Sequence, residues 1–296
     1  MKTFVAGASG YIGSVVVEKL LEAEHEVIGV ARSSQKAVKI RNMGALPWEH
    51  DILDRHALST ALADVDAVIA VMALSEKHIQ VFTEALHGRN IPFIATTGTG
   101  VYGDTGDLVP DESFTPPVIE TAMTGMIKAM ESGILDMGKQ GIQSMIVRPS
   151  LVYGRGGSGT NPTLERIHQA AKDGYALFVD GYENWIASVH VDDLAGLYLL
   201  TLQHGQAGDI FNAATEQFVT GYDLAVAISH AGGQNGTVKG IDADAAKELL
   251  GFESLFYMVN MRVSSKKAKS KLGWQPSRAG MIKELKSEAY RVRTKT

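Results

Sequence analysis

M-K-T-F-V-A-G-A-S-G-Y-I-G, residues 1–13, is the stretch from which the rest of the chain is read. Residues 3–6 form a short apolar run with strand character, and Gly7, Gly10 and Gly13 follow at intervals of three. A helical pattern starts at once: Ile12, Val16 and Leu20 share one face, with Glu18, Lys19 and Glu22 on others. A strand that turns through glycines into a helix start leaves backbone N–H groups unpaired and aims the positive end of the helix dipole outward. Such a turn is an anion site suited to a pyrophosphate. Gly7 permits the tight turn, Gly10 lets the backbone approach the phosphates, and Gly13 lets the helix lie close to the sheet. Ser9, Tyr11 and Ile12 complete the expected contacts. Among 31 glycines the spacing alone carries little; its position between a strand and a helix gives it meaning.

With 296 residues, 45% of them hydrophobic, the chain can bury one large core or two modest ones. A net charge of −5 provides no basic field to hold nucleic acid. The lack of cysteine excludes disulfides, thiolate metal sites and cysteine nucleophiles, and a cytoplasmic location is expected. Glycines and the charges of Glu18 and Lys19 interrupt the N-terminal apolar run, so no signal peptide is expected. No apolar run reaches membrane-spanning length. The expected partner is a small-molecule substrate, with neither nucleic acid nor membrane, and a homodimer stays open.

Residues 25–31 (H-E-V-I-G-V-A) read as a second strand, ending in Arg32-Ser33-Ser34. In a dinucleotide fold this strand end lies beside the adenosine ribose, where a carboxylate selects NAD. A forked cation and hydroxyls suit a 2′-phosphate instead, so the expected cofactor is NADP(H), held by Arg32 and Ser33. Residues 45–50 are a weak third strand leading to Asp51 and Ile52, where adenine is expected. Residues 66–73 are nearly all apolar, as in a strand buried on both faces of a parallel sheet, and place Met72 and Ala73 at its cofactor end. Residues 75–87 read as a helix and 91–96 as a fifth strand. Strands alternating with helices at this spacing predict an α/β, doubly wound parallel sheet.

The loop Thr96-Thr97-Gly98-Thr99-Gly100-Val101-Tyr102-Gly103 leaves a strand at its carboxyl end, where ligands of such sheets sit. Its hydroxyls are expected to face the cofactor. Residues 121–137 are helical and carry Lys128 and Glu131; residues 146–152 are a sixth strand interrupted by Pro149. Beyond Tyr153 the pattern loosens into helices at 161–171, 193–202 and 221–230 and short strands at 176–179 and 209–212. Thr220 is placed to cap the last of these helices. The basic runs at 266–271 and 283–295 read as solvated helix faces, with nucleic-acid binding the lesser alternative.

In their order these landmarks resemble the short-chain dehydrogenase/reductase superfamily, in its extended or atypical branch of NAD-dependent epimerase/dehydratase-like proteins. The likeness rests on the glycine turn, on residues 97–103 ending V-Y-G, and on the R-P-x-x-V-Y-G step from Arg148 to Gly154. It rests also on H-V-D-D-L-A at 190–195 and S-S-K-K-A-K-S-K-L-G-W-Q-P at 264–276, and so spans most of the chain. The resemblance implies a Rossmann-type dinucleotide-binding domain over residues 1–150 and a smaller C-terminal substrate lobe over 151–296. Segments around 186–212 return to the first domain, and a cleft separates the two. It also adds Thr96, Lys128, Pro149 and Val152 to the cofactor contacts.

The family's catalytic set is a Ser or Thr with a Tyr and a Lys spaced Y-x-x-x-K. Lys128 fits the lysine, since Lys128-Ala129-Met130-Glu131 is similar to K-x-x-E, and four residues before it stands Thr124 instead of tyrosine. A phenol of pKa ~10 is drawn toward neutrality by a nearby ammonium and trades protons with a substrate oxygen. An aliphatic hydroxyl is a far weaker acid, so Thr124 is expected to donate a hydrogen bond or hold a water, and Lys128 to bind the nicotinamide ribose. Gly98 stands where the family's catalytic hydroxyl lies; Thr97 and Thr99 flank it, and either can polarise a carbonyl. Tyr102 and Tyr153 are the substitute acids. His190, Asp192 and Asp193 read as a helix cap that ties the lobes, since no third ligand stands at metal spacing and no G-x-S-x-G supplies a hydrolytic serine. No metal is expected.

The expected activity is an NADP(H)-dependent oxidoreductase reaction on a small, fairly apolar carbonyl or alcohol. Met72, Tyr102, Tyr153, Phe178, Trp185, Phe256 and Tyr257 are its pocket candidates. The missing tyrosine keeps two alternatives open: a non-catalytic NADP-sensing or regulatory binding protein, and a cofactor-assisted epimerase or dehydratase.

Overall fold

The computed structural model describes residues 1–114, 122–159, 162–181 and 183–292. Its first half alternates strand and helix: β1 (Lys2–Ala6), α1 (Tyr11–Glu22), β2 (Glu26–Val30), α2 (Ser34–Asn42), β3 (Leu46–Trp48), α3 (Arg55–Leu62), β4 (Ala67–Ala70), α4 (Glu76–Leu86), β5 (Pro92–Thr96), α5 (Ala122–Asp136) and β6 (Gln143–Pro149). The second half runs β7 (Leu151–Gly154), β8 (Gly157–Ser158), α6 (Thr163–Asp173), β9 (Ala176–Val179), β10 (Trp185–His190), α7 (Val191–His204), β11 (Ile210–Ala213) and β12 (Thr215–Thr220). It ends with α8 (Gly221–Ala231), β13 (Val238–Ile241), α9 (Ala243–Leu250), α10 (Leu255–Met258), α11 (Lys266–Leu272) and α12 (Met281–Leu285).

Seven parallel strands form the central sheet in the order β11-β6-β5-β4-β1-β2-β3, the doubly wound arrangement. From β1 the chain winds one way to β3 and then returns to lay β4 on the other side of β1. The order reverses there, so a crevice opens at the carboxyl ends of β1 and β4. Inside the sheet the pleat sends neighbours to opposite faces. Val5, Ile69, Ile94 and Val147 join a core under α1 and α7, while Phe4, Val68, Phe93 and Ile146 join one under α3, α4 and α5. Both faces being covered, these strands read as unbroken apolar runs rather than alternating ones.

The sixth-strand reading needs correction at its end. Residues 146–152 are not one strand: β6 stops at Pro149, and β7 begins at Leu151 in a different, four-stranded sheet ordered β12-β10-β7-β8. Proline has no N–H to extend a ladder. Ser150 instead donates its N–H to Ala213 O at 3.0 Å, and the chain crosses between sheets at that point. After β10 it returns: α7 packs on α1, and β11 pairs with β6. Helix α7 starts at Val191, earlier than its apolar pattern suggests, because His190 acts as its cap. Thr220 caps α8 through a bond from Asp223 N at 3.0 Å. Among the described residues no helix is long and apolar enough to cross a membrane.

Candidate functional site

The turn from β1 into α1 is built as tightly as its glycines permit. Gly7 has φ +84°, a left-handed conformation that costs an L side chain energy, and a Cβ there would lie 2.3 Å from Val71 O. A Cβ on Gly13 would lie 2.1 Å from Gly7 O. Gly10 differs: its ideal Cβ meets only Gly7 O, at 3.1 Å, and opens otherwise onto space. Gly10 is also the N-cap of α1, with no side-chain cap and no acidic residue in the first turn. The first amides of α1 therefore lack a protein acceptor on the side that Gly10 leaves open. Lys39 Nζ donates to Ser9 O at 2.9 Å and holds an ammonium beside the turn. A pyrophosphate fits this donor set.

Next to the turn lies a cavity of about 860 Å³ along the carboxyl ends of β1 to β4. It gathers Gly7, Arg32, Ser33, Asp51, Ile52, Met72 and Ala73, all expected at the cofactor site. Its volume suits a large organic ligand. Arg32 is exposed at the rim. Ser33 Oγ accepts from Lys36 N at 3.4 Å as the cap of α2. Asp51 Oδ1 accepts from Leu53 N at 2.9 Å, which leaves its other oxygen for a ligand. Glu49 also lines the cavity, and Arg41 neutralises it at 2.8 Å. The lining residues that the sequence did not assign to the site include two histidines, His50 and His78. The only signal for His78 was its place three residues after a capping serine, where glutamate or glutamine is the familiar partner.

The other expected residues lie elsewhere. Tyr11 donates its hydroxyl to Gly154 O at 2.8 Å, and its ring covers Gly157 so closely that a Cβ there would lie 2.3 Å from Cε2. It thereby fastens the glycine turn to the β7–β8 hairpin. Burial, then Tyr290 beside it, raises the Tyr11 phenol well above its ordinary range. Ile12 and Val152 pack into the α1/α7 core. Thr96 Oγ1 donates to Ala70 O at 2.8 Å and lies 2.6 Å from the hydroxyl of fully buried Tyr198, so it braces the sheet. Pro149 O is the nearest atom to an ideal Cβ on Gly98, at 3.7 Å. A side chain would fit at Gly98, which has φ 178° and ordinary extended backbone.

Beyond β5, a short 3-10 turn (Thr99–Tyr102) packs against α5 over a buried ion pair. Arg148 on β6 makes a two-pronged contact with Glu131 on α5, Nε to Oε1 at 2.7 Å and Nη2 to Oε2 at 2.6 Å. Their side chains are 9% and 6% exposed. Arg148 Nη1 also donates to Tyr102 Oη at 2.8 Å, and Thr97 Oγ1 donates to Glu131 Oε1 at 2.7 Å. Asn212 and the Asp111 carbonyl complete the surroundings of the Tyr102 hydroxyl. Tyr102 is 2% exposed, and burial raises its phenol despite the lowering pull of Arg148. Tyr153 is likewise enclosed: its hydroxyl donates to Ala279 O at 2.7 Å, and burial pushes its pKa up further. Neither phenol is poised to ionise near neutrality.

Thr99 is 4% exposed, and its hydroxyl has no hydrogen-bond partner among the described residues. Thr124 is packed under the turn, its methyl 3.5 Å from an ideal Cβ on Gly103, and Lys128 is half-buried one helical turn further on. On the same helix Met123 and Ile127 approach Gly100, 3.6 and 3.4 Å from an ideal Cβ, and present an apolar wall.

His190, Asp192 and Asp193 hold the C-terminal segment. His190 Nδ1 accepts from Asp192 N at 3.1 Å. Asp193 accepts from Ser277 N and Arg278 N, both at 3.0 Å, and Asp192 pairs with Arg155 and Arg278. Of the pocket candidates in the second half, Phe178 and Tyr257 flank a cavity of about 10 Å³, the limit for a single water. Trp185 is 38% exposed at the start of β10, and the Phe256 side chain lies outside the described residues.

Residues 3–214 match the model of the NAD dependent epimerase/dehydratase family. An uncharacterized protein of Schizosaccharomyces pombe is 30% identical over 303 residues, which cover 98% of this chain and 100% of that protein. A 4-hydroxy-2-methyl-3-oxo-4-farnesyl-3,4-dihydroquinoline-1-oxide ketoreductase of Stigmatella aurantiaca is 25% identical over 227 residues, 71% of this chain and 67% of its own. Among solved structures, dTDP-glucose 4,6-dehydratase of Bacillus anthracis in complex with NAD superposes with a TM-score of 0.78. The superposition covers 98% of this chain and 95% of that one at 16% identity, a likeness of fold.

Proposed function

The chain belongs to the NAD dependent epimerase/dehydratase family, and on that premise we propose that it is an NADP(H)-dependent reductase of a small, largely apolar carbonyl compound. The dinucleotide, when bound, supplies a transferable hydride. The chain supplies a cradle for the pyrophosphate at Gly7, Gly10 and Gly13, a cavity for the adenosine half, and a polarising group for the substrate oxygen. Arg32 on the cavity rim supports the phosphorylated cofactor, since a guanidinium matches a phosphate with two parallel donors.

The observation that carries the reading is how the hydroxyls around the 3-10 turn are committed. Tyr102 and Tyr153 are buried and bonded elsewhere, and Thr97 donates to Glu131. Of the two threonines flanking Gly98, Thr99 is the one whose hydroxyl is left to meet a carbonyl oxygen. A threonine can polarise a carbonyl, after which water protonates the product alkoxide. It is too weak an acid to serve as the base that epimerisation or dehydration requires. The apolar wall of Met123 and Ile127 and the likeness to a ketoreductase support a carbonyl substrate of modest polarity.

The test is a panel of ketones and aldehydes offered to the purified protein with NADPH or NADH, following loss of the reduced-nicotinamide absorbance. Consumption of NADPH faster than NADH, with the preference falling at least ~10-fold in Arg32→Asp, supports the proposal. Turnover of a sugar nucleotide with no net cofactor consumption would identify an epimerase or dehydratase instead. Tight binding without turnover across the panel would identify a sensor.

A further inference from the structure

Resting on the dinucleotide reading above, we propose that His78 is an adenine-recognition residue. Its Nε2–H is the donor offered to a ring nitrogen of the base, while the Asp51 carboxylate is the acceptor for the exocyclic amine. His78 stands in the first turn of α4 and lines the large cavity, as do Asp51 and Ile52 beyond β3 and Met72 and Ala73 beyond β4. Its protonation pattern follows from its partners. The backbone N–H of Ser75 donates to His78 Nδ1 at 3.1 Å, Ser75 Oγ lies 2.8 Å from the same nitrogen, and Ser75 Oγ accepts from His78 N at 3.4 Å. A backbone N–H has only a proton to give, so Nδ1 must carry a lone pair. The neutral ring then holds its proton on Nε2.

This differs from the usual capping box. A glutamate at the third helical position would leave a charged acceptor at the cavity wall. Imidazole makes the same bond to the cap and leaves a neutral donor. Asp51 supplies the opposite polarity, because one of its oxygens serves Leu53 N and the other stays available. Adenine presents a donor amine beside acceptor nitrogens, whereas guanine and hypoxanthine present a carbonyl where adenine has its amine. An acceptor and a donor in one cavity are therefore complementary to the amine and a ring nitrogen of adenine. Arg32 and Ser33, just beyond β2, are assigned to the ribose phosphate in the dinucleotide reading and are not needed for this role.

The proposal is tested by titrating wild type, His78→Phe, His78→Gln and Ser75→Ala with NADPH and with ADP-ribose, which contains the adenosine half and no nicotinamide. The expected result is that His78→Phe weakens both ligands alike, by about five- to tenfold. His78→Gln, which keeps a donor and a capping acceptor, stays within about twofold of wild type. Ser75→Ala lowers the melting temperature slightly and leaves both affinities in place. The proposal is overturned if His78→Phe binds both ligands as tightly as wild type, or weakens NADPH alone. It is overturned too if Ser75→Ala reproduces the loss, since the effect would then run through the helix. A wild-type protein that binds ADP-ribose but neither NADPH nor NADH would refute the dinucleotide reading and leave an adenosine site to be explained.

Discussion

Two neighbouring glycines should respond in opposite ways to the same methyl group. In Gly13→Ala the new Cβ lies 2.1 Å from Gly7 O and 2.7 Å from Gly7 C, both backbone atoms in the turn that joins β1 to α1. Overpacking costs ~1–3 kcal/mol, and a clash with backbone, which cannot swing aside as a side chain can, puts this case at the upper end, about 3 kcal/mol. At ~2–4 °C per kcal/mol for a chain of this size, the melting temperature should fall by roughly 6–12 °C. In Gly10→Ala the methyl meets one carbonyl oxygen, at 3.1 Å, and the backbone (φ −74°, ψ 176°) suits any residue. Its stability cost is that of a poorer N-cap, about 0.5–1 kcal/mol. Yet that methyl occupies the open face on which a pyrophosphate would lie, so dinucleotide affinity should fall at least ~10-fold, the direct consequence of losing close backbone approach. Thermal melting and titration of the reduced-nicotinamide fluorescence separate the two effects. A Gly10→Ala protein that binds NADPH like wild type, or a Gly13→Ala protein that melts with wild type, would refute the reasoning.

Glu131→Gln leaves the Arg148 guanidinium enclosed without its counter-charge and should cost about 3 kcal/mol in urea unfolding; a loss below about 1 kcal/mol would mean the pair contributes little to the fold. Thr99→Val should reduce kcat/KM on the best carbonyl substrate by ~100-fold with the melting temperature unchanged, whereas Thr97→Val should chiefly cost stability, about 1–2 kcal/mol; the reverse pattern would exchange their roles. Burial alone would raise the Asp209 carboxyl, but Lys271 at 2.7 Å, the Gln206 N–H and Lys267 hold it below its ordinary range. Its folded pKa is thus depressed, so its stabilisation is present above the ordinary carboxylate range and is lost as pH falls through the folded value. Asp209→Asn should flatten the acid limb of the stability–pH curve, and an unchanged limb would contradict the assignment.

The sheet was legible because its residues obey one rule at a time. Residues 4–6, 67–70 and 93–95 are apolar in unbroken runs, and burial on both faces is the one environment that allows this. The glycine turn was legible because its constraint is local: Gly7 and Gly13 are dictated by backbone atoms a few residues away or on the adjacent strand. Pro149 was visible as an interruption, but that the chain changes sheets there depends on Ala213 and β10, far away in sequence. The catalytic candidates were harder for the same reason. Thr97, Thr99, Tyr102 and Tyr153 look equivalent as hydroxyls, and only the placement of Glu131, Arg148, Asn212 and Ala279 shows which are already bonded. His78 was invisible because its role rests on a cap to Ser75 together with a cavity assembled from three other loops.

The most direct measurement is a fluorescence titration of the purified protein with NADPH and, separately, with NADH. The account predicts saturable binding of both, tighter for NADPH, with the difference largely lost in Arg32→Asp and the affinity for both at least ~10-fold weaker in Gly10→Ala. Failure of the wild-type protein to bind either nucleotide would contradict it at its root.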